Sequence, residues 1–248
     1  MLSITYIAVL LLALLSGLTT LIGVVLAIFF KKNIKIVTVG IGFSAGIMVI
    51  ISFLELIPKA ASATNWLYSL FAVGLGALLI LILHLIIPHT HLIKEKGRKK
   101  LLVRAAYLIA FGLILHDFPE GFAMANSYIY SPALGLLVAI AIAVHNIPEE
   151  FAMAMPIILI KKRKTLFKAA FLSGLAEPAG AVLGLLAVAI APALNAFFMA
   201  FAAGAMILVS FNELFPMARK YKKTHLFILG IILSLIVYFI LHAFFPGA

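Results

Sequence analysis

The sequence predicts an all-α integral membrane protein of eight transmembrane helices, with both termini outside and spans 1–3 and 6–8 forming an inverted repeat around a 4–5 hairpin. Three observations predict it. Of the 248 residues, 65% are hydrophobic and 11% charged, where soluble domains average ~45–50% apolar and ~25% charged. Eight stretches reach the roughly 20 apolar residues that a spanning helix needs. Finally, segments far apart in the chain match each other across oppositely directed spans.

The spans fall at about 4–30, 36–58, 66–88, 103–126, 132–160, 168–190, 192–218 and 225–245. Long apolar runs without strict alternation select helices over a barrel, the only two architectures that satisfy the backbone in lipid. Span 1 reads as a helix and not as a cleaved leader, because Met1–Ser3 carries no basic residue and the run behind it is long enough to cross. Only short loops remain, so residues 1–248 form one membrane domain, with a cytoplasmic 3–4 loop at about 89–102. The absence of cysteine excludes disulfides, thiolate metal sites and a catalytic thiol.

Orientation follows from the basic residues. Lys31, Lys32 and Lys35 lie between spans 1 and 2, and Lys94, Lys96, Arg98, Lys99, Lys100 and Arg104 between spans 3 and 4. Lys161, Lys162, Arg163, Lys164 and Lys168 join spans 5 and 6, and Arg219, Lys220, Lys222 and Lys223 join spans 7 and 8. Only Lys59 falls on the opposite side, so the basic side is cytoplasmic. The formal charge of +11 is this topology signal spread over four short loops, and no nucleic-acid partner is expected; the partner surface is the lipid bilayer of a cell membrane, plasma or inner, crossed many times.

Seven of the eight acids, all but Glu95, fall within predicted spans: Glu55, Asp117, Glu120, Glu149, Glu150, Glu177 and Glu213. A charge at the helix centre costs at least ~2.5 kcal/mol, so such residues mark a pathway or a site. Pairing with buried lysine or arginine fails for lack of partners in the span interiors. The remaining counter-ions are protons or a bound metal.

The neighbours favour metal. "HDFPEGFAMA" from His116 and "HNIPEEFAMA" from His145 share seven of ten positions. In each, His and Glu stand four residues apart, on one helix face: His116 with Glu120 and His145 with Glu149. Imidazole nitrogen with carboxylate oxygen suits Zn²⁺ or Fe²⁺ better than Na⁺ or Ca²⁺. The two histidines flank the turn at Tyr130–Ser131 symmetrically, so an antiparallel hairpin sets them level. At ~1.5 Å per residue, His116 lies about 18 Å in from Arg104, and Glu177 about 14 Å in from Lys168. Three helices thus bring ligands to one depth. Pro119 and Pro148 leave the Leu115 and Val144 carbonyls without their helical donors, which a membrane tolerates beside a polar site.

The repeat pairs "SAGIMVIISFLELIPKA" at 44–60 with "AAGAMILVSFNELFPMA" at 202–218, matching Glu55 with Glu213 and Pro58 with Pro216. A weaker match pairs "GLTTLIGVVL" from Gly17 with "GLAEPAGAVL" from Gly174. Inverted repeats are common in transporters, with the substrate site near the midplane. Glu55 and Glu213 are either entrance and exit acids or interfacial groups reaching water.

At "HDFPEG", "HNIPEE" and "GLAEP" the chain closely resembles the ZIP (Zrt/Irt-like) family of divalent-metal transporters, over nearly its whole length. The resemblance implies transport of Zn²⁺ toward the cytoplasm by alternating access, with Fe²⁺, Mn²⁺ and Cd²⁺ as further substrates, no separate cofactor and a homodimeric assembly. It implies a binuclear site: His116, Glu120, His145 and Glu149 at one centre, Asp117, Asn146 and Glu177 at the other, with Glu120 and Glu149 bridging. Two positions depart from the family pattern, Asp117 where Asn is usual and Glu150 where Gly is usual. Glu150, about 100° around the helix from Glu149, faces either the path or a neighbouring helix. His89 and His91 in "PHTH" are either loop metal ligands or interfacial histidines, while His84, His225 and His242 read as lone packing or interface residues. An intramembrane zinc-dependent hydrolase is the competing reading, but HExxH is absent and no general base stands apart from the ligands. A proton-coupled carrier of organic substrates would need a larger polar pocket than this His–Glu repetition supplies.

Overall fold

The computed structural model describes residues 2–30, 33–86, 98–158 and 163–248, and every element among them is helical. Apolar runs of Leu, Ile, Val and Ala carry no polar side chain to compete with the backbone, so the ladder of i→i−4 bonds propagates without interruption. The elements are α1 (Leu2–Phe30), α2 (Ile34–Ile51), α3 (Ile57–Ala63), α4 (Trp66–Ile86), α5 (Arg98–Tyr130), α6 (Pro132–Ile158), α7 (Arg163–Gly174), α8 (Ala176–Ile190), α9 (Asn195–Val209), α10 (Phe215–Lys220) and α11 (Thr224–Phe244). Among the described residues, seven helical stretches are long and apolar enough to cross a membrane, and α5 occupies the place of the predicted fourth span. The chain is a multi-pass membrane protein.

Two helices differ from uniform α-helix in the same way. The matched segments Ser52–Leu56 and Ser210–Leu214 are each one π-helical turn, joining α2 to α3 and α9 to α10. The Ile57 N–H bonds the Ser52 carbonyl, and the Phe215 N–H bonds the Ser210 carbonyl, five residues back in both cases. Pro58 and Pro216 follow directly; having no N–H, each leaves a carbonyl of the preceding turn without its α-helical donor, and the wider turn absorbs the mismatch. Pro119 and Pro148, by contrast, lie inside the unbroken helices α5 and α6. Hydroxyls of Thr19 and Ser44 reach the carbonyls of Ala143 and His145, on either side of the Val144 carbonyl.

Helix pairing is matched between the two halves. α1 packs on α6 and α8 on α5, while α2 packs on α11 and α9 on α4. In lipid no hydrophobic force drives these contacts, so close van der Waals approach at small residues must supply them. A Cβ on Gly17 would lie 2.0 Å from the Gly174 carbonyl oxygen, and one on Gly174 would lie 2.3 Å from that of Gly17. The two backbones therefore touch where the segments of the weaker repeat cross. Gly46 meets Ile231 and Ser234 of α11, and its match Gly204 meets Val73 of α4. Large apolar side chains on α1, α4 and α11 point outward, among them Ile4, Leu67, Phe71, Ile236 and Phe239.

Candidate metal centre

The twin motifs of α5 and α6 face each other at the middle of the bundle. His116, Glu120 and His145 are fully buried, and Glu149 is 3% exposed. Each histidine has Nδ1 against the carbonyl one turn back, His116 on Gly112 at 3.2 Å and His145 on Ala141 at 3.0 Å. With Nδ1–H donating there, each Nε2 turns its lone pair inward, the tautomer a metal ligand needs. His145 Nε2 lies 3.1 Å from Glu120 Oε1 and 3.8 Å from Glu149 Oε2, and His116 Nε2 lies 3.6 Å from Glu149 Oε1. A lone pair does not rest 3.1 Å from a carboxylate oxygen unless a proton or a metal ion mediates.

Glu120, His145 and Glu149 offer ligand atoms that all lie within 4.8 Å of one another. His116 Nε2, Glu120 Oε2, both oxygens of Glu149 and Glu177 Oε2 are buried without a hydrogen-bond partner. Orphaned buried polar atoms are costly, and this many in one place marks a site for a cation. Among the described residues no lysine or arginine pairs with these acids; their ion-pair partners are histidines.

Asp117, Asn146 and Glu177 lie beside this cluster, all buried. Asn146 Nδ2 donates to Glu177 Oε1 at 2.5 Å, and the Ser173 hydroxyl donates to Asp117 Oδ2. Asn146 Nδ2 also points toward the Ser16 carbonyl and hydroxyl, both at 3.5 Å. Ser16 and Ser173 were not singled out in the sequence, yet each begins an identical "SGL". One serine stands at Asn146, its repeat counterpart at Asp117. α8 reaches this depth because Gly121 and Gly180 let its backbone touch α5: a Cβ on Gly121 would lie 1.9 Å from the Glu177 carbonyl oxygen.

Glu150 faces α1. Its Cβ lies 2.8 Å from where a Cβ on Gly23 would stand, so the missing side chain at Gly23 makes room for it, and its Oε2 is buried without a partner. Glu213 belongs to the cluster's edge: Oε2 is 3.5 Å from His116 Nδ1 and Oε1 is 3.7 Å from His84 Nδ1. Glu55 lies apart, 1% exposed, where it accepts from the Tyr238 hydroxyl at 2.7 Å and from His242 Nδ1 at 3.0 Å. His84 and His242 are thus not lone residues but the partners of the two matched acids. His89 and His91 lie outside the described residues.

A family profile described as "ZIP Zinc transporter" matches residues 89–242. The chain is 37% identical to the zinc transporter ZupT of Chlorobaculum parvum over 249 residues, covering 91% of this chain and 93% of the relative. It is 37% identical to the ZupT of Nitratidesulfovibrio vulgaris, covering 89% and 90% of the two chains, and 38% identical to that of Streptococcus mutans, covering 90% and 92%. The chain belongs to the ZIP zinc-transporter family. Membership puts this ZIP chain among transporters and not among enzymes. Within it, Gly23 of α1 and Gly180 of α8 are equivalent places in the two halves, Gly23 meeting Ile147, Glu150 and Phe151 of α6 as Gly180 meets Phe118 and Phe122 of α5.

Proposed function

We propose that this chain carries Zn²⁺ across the cell membrane toward the basic, cytoplasmic side, through a binuclear site formed by His116, Glu120, His145 and Glu149 with Asp117, Asn146 and Glu177, Glu120 and Glu149 bridging. The observation that carries the reading is the buried group Glu120, His145 and Glu149, whose ligand atoms converge within 4.8 Å while several oxygens beside them lack any partner. The zinc-transporter names of the relatives agree with it. Fe²⁺, Mn²⁺ and Cd²⁺ are further substrates of the same donor set.

Carboxylates and imidazoles replace the water shell of the ion as it enters, and each must be deprotonated to bind. Ser173 and Asn146 orient Asp117 and Glu177, as the partners of ligands commonly do. Glu213, in contact with His116 on one side and His84 on the other, leads from the centre toward the basic end. The wider arrangement is eight spans with both termini outside, spans 1–3 and 6–8 as inverted halves, alternating access and a homodimer. No observation favours the hydrolase reading.

The test is ⁶⁵Zn²⁺ uptake into vesicles reconstituted with the wild type, His145→Ala and Glu149→Ala. Flux in the wild type and its loss in both variants is expected. Absent wild-type flux, or flux unchanged in both variants, would refute the reading.

A further inference from the structure

The two π-helical turns carry matched acids that keep different company. Glu213 lies 158 residues after Glu55, and the same step leads from His84 to His242. Helices α4 and α11 are thus in register with each other as the two π turns are, and each histidine faces the acid of the other half. The motif copies supply the third correspondence, His116 with His145.

Glu213 touches both His84 and His116. The equivalent partners of Glu55 are His242 and His145. The first contact exists, at 3.0 Å. The second does not: His145 Nδ1, the equivalent atom, lies against the Ala141 carbonyl, and Glu55 Oε1 instead accepts from Tyr238 as well as His242. Tyr238 corresponds to Ile80, which has no hydroxyl to offer Glu213. Glu213 fits against α5 at Gly112, where a Cβ would stand 3.2 Å from Oε2; the residue of α6 at the equivalent place, Ala141, carries that Cβ, so a carboxylate approaching His145 there sits a few tenths of an ångström farther out.

We propose that Glu55 is a metal ligand of the outward-facing state, where it meets His145 as Glu213 meets His116 here, and that Tyr238 and His242 hold it off the site in the present state. The proposal rests on the transport reading above. Carriers built from inverted repeats reach their second state when the two halves exchange conformations about a fixed site. Three of the four equivalent acid–imidazole contacts are present, and the exchange supplies the fourth. A divalent ion arriving from outside then meets the Glu55 carboxylate beside His145 on its way to the centre, as an ion leaving on the basic side meets the Glu213 carboxylate beside His116.

The chain has no cysteine, so paired thiols can be introduced without background. Full-length Glu55→Cys/His145→Cys and Glu213→Cys/His116→Cys, each monodisperse in detergent, are exposed to Hg²⁺, which displaces one proton from each thiol when it bridges them. Intact mass of the denatured chain then distinguishes one bridging mercury from two separately bound ones. One mercury per chain is expected for both pairs, the 213/116 pair bridging first. Two mercuries on the 55/145 pair, with one on the 213/116 pair, would overturn the proposal and leave the transport reading standing. In vesicles, Glu55→Gln is expected to raise the zinc KM at the outer face about tenfold, in the range set by losing one contact to a bound metal. An unchanged KM would equally overturn it. Tyr238→Phe, which removes one of the two restraining donors and leaves the acid, is expected to lower that KM, an effect that mere loss of packing would not produce. Wild-type flux tests the transport reading by itself.

Discussion

Asp117 and Asn146 occupy the same place in the two motif copies, and a serine from a different half of the chain stands at each. Ser173 donates to Asp117, which fixes the carboxylate without neutralising it. Replacing Ser173 with Ala is expected to weaken zinc binding about tenfold, the lower end of what lost outer partners cost, measured by equilibrium tracer binding. Asp117→Asn keeps the shape and removes the charge; a metal content lower by one ion per chain, by elemental analysis, is the expected result. Both motif copies were legible in the sequence because His, Pro and Glu recur in register inside apolar helices. Their serine partners were not, because a serine in an apolar helix looks like any other small residue until its partner, 56 residues or more away in the chain, is located. The same holds for His84 and His242, whose pairing is visible only once α4 and α11 are set in register.

At the scale of the helix, glycine decides what can meet. Gly17 and Gly174 place two backbones in direct contact, and neither can gain a Cβ without displacing the other's carbonyl. Gly17→Val is expected to cost upward of about 3 kcal/mol, beyond ordinary overpacking, and to abolish the monodisperse peak in size-exclusion chromatography. Gly74 is the internal control: nothing lies within 4 Å of a Cβ there, so Gly74→Ala is expected to leave the melting temperature unchanged or raise it slightly. Helix positions followed from the sequence because apolar length alone dictates them in lipid. The π-helical turns did not. Both prolines after them lie near span ends, and the chain inserts one wider turn ahead of each and continues. The repeat "SFLEL" and "SFNEL" was visible, but nothing in the residue types distinguishes a π turn from an α turn.

For the whole molecule, the charge of the loops sets direction and the charge of the interior sets occupancy. Introduced singly, a cysteine at Ala63 is expected to react with an impermeant maleimide in intact cells, and one at Lys220 only after permeabilisation. The reverse result would invert the topology that the basic loops imply. Acidification is expected to weaken zinc binding progressively, because binding requires neutral imidazole and ionised carboxylate, so affinity is highest at high pH and falls as protons compete for the same atoms. Tracer binding across a pH series checks the sign.

The buried oxygens without partners have one more consequence. Among the described residues the interior acids have no lysine or arginine to answer them, so the ion this bundle carries is also a piece of its architecture. Occupancy then becomes readable as heat resistance: at a hundredfold excess of ion over its dissociation constant, a folded state that alone binds the ion gains about 2.7 kcal/mol. The melting curve of this carrier is, in that sense, a balance on which its cargo can be weighed.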